Sequence, residues 1–243
     1  MVLNLKTFEL LMLNLIMNIM KSLFKVSSLV LGVILLTTGV SFAQKKAKPF
    51  NGVITYEITY LGEIDEESKA QLANQSTLSI SGNKARSEQV SPFYTVAQII
   101  DVAKGDMIVL IDAMGMKIAV KQTKEEIEKR KAEAETKDPE ITYLDETKII
   151  AGVKCKKAEV KVEDQIIDVY YTEELNVPEG INEVQGFTGL KGVLMEYTIE
   201  QQGIEMKFSA KEISYKKPKA VLFVIPDDYQ IKKPEELGGL FGM

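Results

Sequence analysis

Short segments in which apolar and polar residues alternate follow one another through most of the chain, between residues 54 and 211. A period of two sends successive side chains to opposite faces of a strand, so each segment predicts a β-strand with one buried and one exposed face. Turn residues separate the segments, as at 81–84 and 151–152. Strands joined by short turns pair in antiparallel order. The predicted fold is mainly β, a single curved antiparallel sheet or open half-barrel of roughly ten strands with one or a few helices.

The strand pattern is interrupted in three places. Residues 123–137 predict a helix, because Thr123 and Glu126 have the spacing of a capping box. Few residues of this helix are apolar, so we expect it to present a solvated face. Residues 64–74 predict a short helix or a loop, and residues 175–187 predict a loop. The predicted strands are 54–60, 77–81, 84–90, 95–101, 107–112, 116–122, 141–150, 154–163, 167–171, 193–199, 204–210 and 220–225.

The N-terminal residues contain the three parts of a secretory signal. A basic stretch with Lys21 and Lys25 precedes the apolar run 29–40, and small residues at 41 and 43 mark a cleavage site. The apolar run is too short to span a bilayer, which takes about 20 residues. We therefore expect export to the periplasm or the medium, with cleavage after Ala43 and no transmembrane segment in the mature chain.

The export signal also sets the expected domain organisation. Met20 begins a complete signal and is the expected translation start, so residues 1–19, which are also apolar, would be an extension; the alternative is an unusually long n-region, the part of the signal before its apolar run. The only cysteine, Cys155, does not follow the cleavage site, so the chain lacks the acceptor of a lipoprotein anchor. The predicted parts are a signal peptide over 1–43, a linker over 44–50, one β-rich domain over 51–230 and a glycine-rich tail over 231–243.

The composition excludes several classes of function. The chain has no histidine, which is the commonest general base and zinc ligand. Its 35 acidic residues outnumber 30 basic ones, which disfavours nucleic-acid binding. Asp227 and Asp228 fit a polar turn better than a calcium site, because further spaced ligands are missing. We expect no enzyme activity, no catalytic residue, no metal and no cofactor.

Methionine and aromatic side chains recur on the predicted strands of both halves. Thioethers and aromatic rings suit a pocket that accepts varied apolar ligands, and a curved sheet offers a concave face on which they can gather. Ordinary core filling explains the same residues equally well. The candidate ligand-lining residues are Tyr56, Ile58, Tyr60, Met195, Tyr197, Met206 and Phe208.

Parts of the chain resemble exported proteins of Bacteroidetes-type bacteria. Residues 157–172, with Lys157-Ala158 and Tyr171-Thr172, followed by GFTGLKGVL at 186–194, resemble the GLPGLI family. FNGVITYEI at 50–58 and VIPDDY at 224–229 are similar to a related exported domain of unknown function. This resemblance implies a fold similar to periplasmic lipoprotein carriers of the LolA/LolB type, an open barrel lidded by helices around a cavity for acyl chains.

Three hypotheses about function follow from these observations. The first is an exported binding protein that holds a lipid or other apolar ligand in the concavity of the sheet. The alternative is a structural or interaction protein of the cell envelope, with a filled core and exposed strand edges that pair with a partner. The least favoured is a hydrolase that uses Glu57, Glu196 or Glu205 as paired carboxylates. A cavity, a filled core with a bare edge, or clustered carboxylates of raised pKa would distinguish them.

Overall fold

Twelve strands form one sheet in the computed structural model, which describes residues 48–62, 64–133, 138–162, 165–201, 203–234 and 236. The predicted signal peptide and most of the predicted tail lie outside the described residues. The strands are β1 Gly52–Leu61, β2 Gln75–Ser81, β3 Lys84–Val90, β4 Tyr94–Asp101, β5 Asp106–Ala113, β6 Met116–Gln122, β7 Glu140–Ile150, β8 Val153–Val162, β9 Gln165–Thr172, β10 Val193–Gln201, β11 Ile204–Ser214 and β12 Gln230–Lys232. The helices are α1 Glu66–Lys69, α2 Lys124–Glu133 and the 3₁₀ helices η1 Ile181–Gln185 and η2 Ala220–Phe223.

The sheet consists of two antiparallel runs, joined where the first strand meets the eleventh. Its order is β12-β6-β5-β4-β3-β2-β1-β11-β10-β9-β8-β7, so β12 and β7 stand at the two ends of the described sheet. The predicted mainly β fold, with a single curved open sheet, is confirmed. One pair departs from the prediction of a wholly antiparallel sheet, because β12 runs parallel to β6.

The predicted strand 220–225 is wrong. Ala220–Phe223 is a 3₁₀ helix, and the last strand comes later, at Gln230–Lys232. A short apolar run does not by itself distinguish a strand from a helix that packs on a sheet. Phe223 packs with Leu222 against Ala97, Ile99 and Leu110 on one face of β4 and β5. We call residues 215–229 the strap, since they cover this face.

Helix α2 begins with the predicted capping box. The Thr123 backbone N–H donates to Glu126 Oε2 at 2.8 Å, and the Glu126 N–H donates to Thr123 Oγ1 at 3.3 Å. The helix is described as far as Glu133, and residues 134–137 lie outside the described part. It is less solvated than its composition suggests, because Lys131 is buried and Ile127 packs against the main core.

The main core lies on one face of the sheet, which we call the inner face. It carries alternate residues from strands along the whole sheet, for example Ile54 of β1, Ile100 of β4 and Val169 of β9. The opposite, outer face carries the smaller cluster under the strap and, on β1, β10 and β11, mostly polar side chains. The alternation of buried and polar residues along each strand therefore produces one large apolar core.

Candidate functional site

The structure brings all seven candidate ligand-lining residues together on three adjacent strands. Register pairs Ile58 of β1 with Phe208 of β11, and Phe208 with Tyr197 of β10. Met206 lies between Tyr60 and Ile199 in the same way. Tyr60 is partly buried, and the other six candidates are at most 8% exposed. These residues therefore form one continuous part of the inner face.

Aromatic rings pack tightly against one another at the centre of this region. Tyr197 and Phe208 are stacked, with ring centroids 4.8 Å apart and planes 5° from parallel. Phe187 meets Tyr197 edge to face at 5.1 Å, and Tyr56 lies 6.5 Å from it. Such aromatic pairs add about 0.5–1.5 kcal/mol each beyond their area burial.

The phenol groups here have partners inside the protein. The Tyr56 hydroxyl donates to the Leu194 carbonyl at 2.7 Å, and the Tyr60 hydroxyl donates to the Ala73 carbonyl at 2.6 Å. Gln185 Nε2 donates to the Tyr197 hydroxyl at 3.2 Å. Burial raises the pKa of Tyr56 and of Tyr197 well above the usual phenol range, so both stay neutral.

A segment of the chain itself lies against this aromatic surface. We call residues 173–192, the connection from β9 to β10, the plug. Its helix η1 contacts β3, β4 and β10, so it bridges the two halves of the sheet across the inner face. Five plug side chains are buried in the main core, namely Leu175, Ile181, Val184, Phe187 and Leu190. The inner face, which carries the candidate ligand-lining residues, is therefore covered by the protein's own plug.

One asparagine holds the plug in shape. Asn182 is fully buried, and its Nδ2 donates to the carbonyls of Leu190 at 2.9 Å and Gly192 at 3.0 Å. Its Oδ1 accepts from the Leu194 N–H at 3.1 Å. A buried amide with three good hydrogen bonds fixes the path of the loop. The sequence predicted this segment as a loop without identifying Asn182, because an asparagine in a glycine-containing loop carries no signal of burial.

A buried lysine of α2, Lys131, lies close enough to Glu183 of the plug for the two charges to interact. Burial lowers the pKa of Lys131 to about 8, with the nearby Glu183 of η1 opposing that shift. Burial likewise raises the pKa of Glu183, and the charge of Lys131 opposes the rise. Gln185 Oε1 and Thr188 Oγ1, also in the plug, are buried without a hydrogen-bond partner among the described residues.

The outer face of the same strands carries a polar network. Glu196 accepts from Lys148 of β7 and from Ser209 Oγ at 3.1 Å, and Lys207 lies 3.3 Å from it. Burial by itself would raise the pKa of Glu196, but these two lysines outweigh it and hold the pKa below the usual glutamate value. The Lys148 ammonium also lies over the Tyr170 ring, 3.9 Å from its centroid.

The three carboxylates considered for hydrolysis do not form an acid and base pair. Glu57 and Glu196 share the outer face on either side of Ser209. Glu57 pairs with Lys211 at 2.8 Å, while Glu205 lies at the end of the hairpin, opposite Leu61 and Glu200. A carboxylate whose pKa is held low beside lysines is a poor general acid. This arrangement gives no support to glycoside hydrolysis.

The other residues singled out in the sequence have ordinary surroundings. Asp228 accepts from Lys117 Nζ at 2.7 Å. Among the described residues, no group of three or more Cys, Asp or Glu could hold a metal ion. Cys155 is fully buried, and burial raises the pKa of its thiol to about 11, so it is not a reactive thiolate.

The terminal strand β7 is interrupted by a bulge. It is eleven residues long and pairs only with β8 in the described sheet. Between Tyr143 and Thr147 the register shifts, because β7 has more residues there than β8. A bulge of this kind interrupts the row of backbone groups and protects an edge from pairing with another chain.

Large apolar side chains are exposed at one end of the sheet. β4 and β5 pair as far as Tyr94 and Ala113, so the β3–β4 and β5–β6 connections are neighbours. We call residues 90–94 and 113–116 together the tip. Its exposed apolar residues are Val90 at 54%, Phe93 at 51%, Met114 at 53% and Met116 at 37%.

These features define a mainly β domain whose inner face is filled by its own loop. The chain matches the family described as "N-glycanase peptide, N-terminal domain" over residues 54–190. That match spans more than half of the chain, and the chain belongs to this family. The resemblance to the GLPGLI type stays a prediction.

Solved structures give more distant similarities. PNGF-II, solved in two space groups, is 18% and 17% identical, with a TM-score of 0.48 in both cases and 79% of this chain covered. The chain spans only 32% and 33% of the length of those two PNGF-II chains. A β-barrel-like protein of the domain of unknown function DUF1849, from Brucella abortus, is 8% identical with a TM-score of 0.31, covering 68% of this chain and 98% of that one. The curated proteins contain no match.

No helix in the described part of the chain is both long and apolar enough to cross a bilayer.

Proposed function

We propose that this chain is a non-catalytic interaction domain that docks through its tip. One observation carries the proposal: the plug occupies the inner face, with its apolar side chains in the core and Asn182 fully hydrogen-bonded. Because the inner face is filled, recognition of a partner uses the exterior of the domain. On that surface, the tip gathers exposed side chains of the kinds that make strong contacts in interfaces.

The family supports an accessory role. The matching family is an N-terminal domain of an N-glycanase, and the chain spans about a third of PNGF-II, as given by its 32% coverage. An accessory domain beside a catalytic one needs a docking surface and no catalytic residues of its own. We place the protein outside the cytoplasm, as the signal-like N-terminus predicts.

Photo-crosslinking in the producing cell tests the docking role. A benzophenone amino acid replaces Phe93 at the tip, and the matched control carries it in place of Ile149, which is 68% exposed near the β7–β8 turn at the other end of the strands. Docking through the tip predicts discrete crosslinked products, to protein or to lipid, from position 93 alone. Equal products from both positions, or none from either, would contradict it.

A second candidate function is the binding of a lipid or other apolar ligand in a LolA-like concavity. It is favoured by the aromatic and methionine side chains that meet on the inner face, such as Tyr197, Phe208 and Met195. It requires the plug to move aside, since an acyl chain gains about 0.8 kcal/mol per CH₂ only where its methylenes are buried away from water. Native mass spectrometry of exported protein tests this function. A lipid released only on denaturation supports it, and a clean apo mass without uptake of added fatty acid contradicts it.

A further inference from the structure

The tip presents its apolar side chains at the connections that join β3 to β4 and β5 to β6. Val90 ends β3, Phe93 lies in the following connection, and Met114 occupies the two-residue turn between β5 and β6. Three of the four side chains are more than half exposed, at 51–54%. Apolar side chains at the ends of hairpins can insert into the apolar part of a lipid bilayer, which needs no cavity of matching shape.

The Met114 side chain is held at the tip at a conformational cost. Met114 has φ 56° and Gly115 has φ 78°, the left-handed pair of a tight hairpin turn. The first position of such a turn favours Asn, Asp or Gly, and other residues adopt it at a conformational cost. Stability alone would therefore not select an exposed methionine here. The β7–β8 turn has the same form, with Ala151 at φ 49° and Gly152 at φ 83°, so this conformation by itself does not mark a binding residue. What distinguishes Met114 is a large apolar side chain that is 53% exposed in the same tip as Phe93.

The size of the patch argues against a permanent protein dimer. Four exposed side chains amount to a few hundred Å², whereas a stable interface takes about 800 Å² from each partner. Both ends of the described region, at Lys48 and Glu236, leave the sheet at the end opposite the tip, because β1 begins and β12 finishes there. The tip can therefore face a surface without either end of the described region coming between them.

The charges around the tip select the kind of surface. Arg86 is paired with Glu88, and Lys117 is shared between Asp112 at 3.5 Å and Asp228 at 2.7 Å. Helix α1, in the β1–β2 connection at the same end, carries Glu66 and Glu67 together with Lys69, which lies 3.8 Å from Glu66. No excess of basic groups surrounds the tip in the described part of the chain. An anionic membrane would thus repel this end of the domain.

We propose that the tip is a lipid-docking surface, which inserts Phe93 and Met114 into the interface of a zwitterionic bilayer. This inference rests on the proposed docking function and names its partner. Binding is reversible, because a few loop side chains bury far less apolar area than a membrane-spanning segment. Anionic lipid strengthens the membrane binding of basic peripheral proteins, but it should weaken the binding of this tip.

Vesicle flotation tests the lipid-docking surface. The protein is purified after export, with its mass checked so that no apolar leader remains, and is mixed with phosphatidylcholine vesicles, with or without phosphatidylglycerol.

Phe93→Ser is expected to weaken binding by roughly tenfold, the effect of losing about 1.4 kcal/mol of apolar transfer. Met114→Asn is expected to weaken binding while raising the unfolding temperature, because Asn suits the turn. Ile149→Ser removes an equally exposed side chain elsewhere and leaves binding unchanged.

Each outcome decides the proposal. Flotation with phosphatidylcholine that depends on Phe93 and Met114, and that phosphatidylglycerol reduces, supports it. Binding that requires phosphatidylglycerol and is abolished by salt, or that is the same in all variants, overturns it. Absence of flotation combined with a protein crosslinked from position 93 overturns the lipid inference and leaves the docking function intact. Absence of both removes the docking function as well.

Discussion

The two faces of strands β1, β10 and β11 are built from alternating residues of the same segments, yet they are held together differently. On the inner face, Phe208 stacks on Tyr197 at 4.8 Å and every phenol of the aromatic group has a partner within the protein. On the outer face, the adjacent Ser209 joins a network of Glu196 and lysines that remains in contact with water. We therefore expect most of the stability to come from the inner face, and substitutions on the outer face to cost little.

The sharpest test of this comparison uses two adjacent residues. Phe208→Ala removes a buried ring from a stack, and we expect it to lower the free energy of unfolding by about 4 kcal/mol. Ser209→Ala removes one partly exposed hydrogen bond and should cost less than about 1 kcal/mol. Chemical denaturation of both variants measures the two values. Similar losses in the two variants would show that the faces do not differ in the way the packing indicates.

The plug provides the next largest effect. Asn182→Ala removes three hydrogen bonds inside the core and leaves two carbonyls and one N–H without their partner. We expect a loss of about 3 kcal/mol, together with faster hydrogen exchange at Leu194. Asn51→Ala is a matched control, because Asn51 Oδ1 also accepts from a backbone N–H, that of Gly82, but at an exposed site. A loss at Asn182 no larger than at Asn51 would mean that the plug is not held by this residue.

Much of the fold was predictable from the sequence, because alternation along a strand reports directly on burial. β1, β3 and β8 begin or end within two residues of their predicted bounds. The strand predicted over 220–225, within the strap, is wrong, since an apolar run of that length fits either a strand or a helix that packs on a sheet. The filling of the inner face was not predictable, because no local pattern shows that a glycine-containing loop folds back into the core.

The candidate site was predictable only as a group of residues. The prediction that Tyr56, Tyr197 and Phe208 share a face followed from periodicity, and their proximity follows from the register of β1, β10 and β11. Whether they line a ligand site remains a prediction. The tip was not identified, since exposure at the end of a hairpin depends on which strands are neighbours in space.

Lys131 tests the same contrast between the faces, because it is a charged side chain that is buried in the protein. Its pKa is lowered from 10.5 to about 8 by burial, so between these values the unfolded chain binds more protons and stability rises with pH. Lys131→Met should therefore stabilise the protein by about 1 kcal/mol at neutral pH. The gain should be complete below pH 8 and should vanish toward 10.5, as thermal unfolding across that range will show. A destabilised variant at neutral pH would show that Lys131 gains more from Glu183 than it loses by burial.

The smallest effect is expected on the outer face. Glu196→Gln removes a carboxylate that Lys148 and Lys207 hold at a low pKa, and the expected loss is about 0.5 kcal/mol at neutral pH. A lowered pKa gives stability that is present above the usual glutamate value and is lost as pH falls through the folded value. The difference between the wild type and this variant should thus shrink in acid and in high salt. A loss that is insensitive to both would point to packing and not to charge.

The pairing of β1 with β11 has a consequence for how the protein acquires its structure. Ile58 and Phe208 are paired although about 150 positions separate them in the chain. Each half can form its hairpins early, but the central seam must wait until β11 is available and a long loop has closed. A chain with such distant contacts folds slowly, on the order of milliseconds to seconds. We expect this delay to keep newly made protein unfolded while it is still emerging, with its strand edges and aromatic residues open to chaperones.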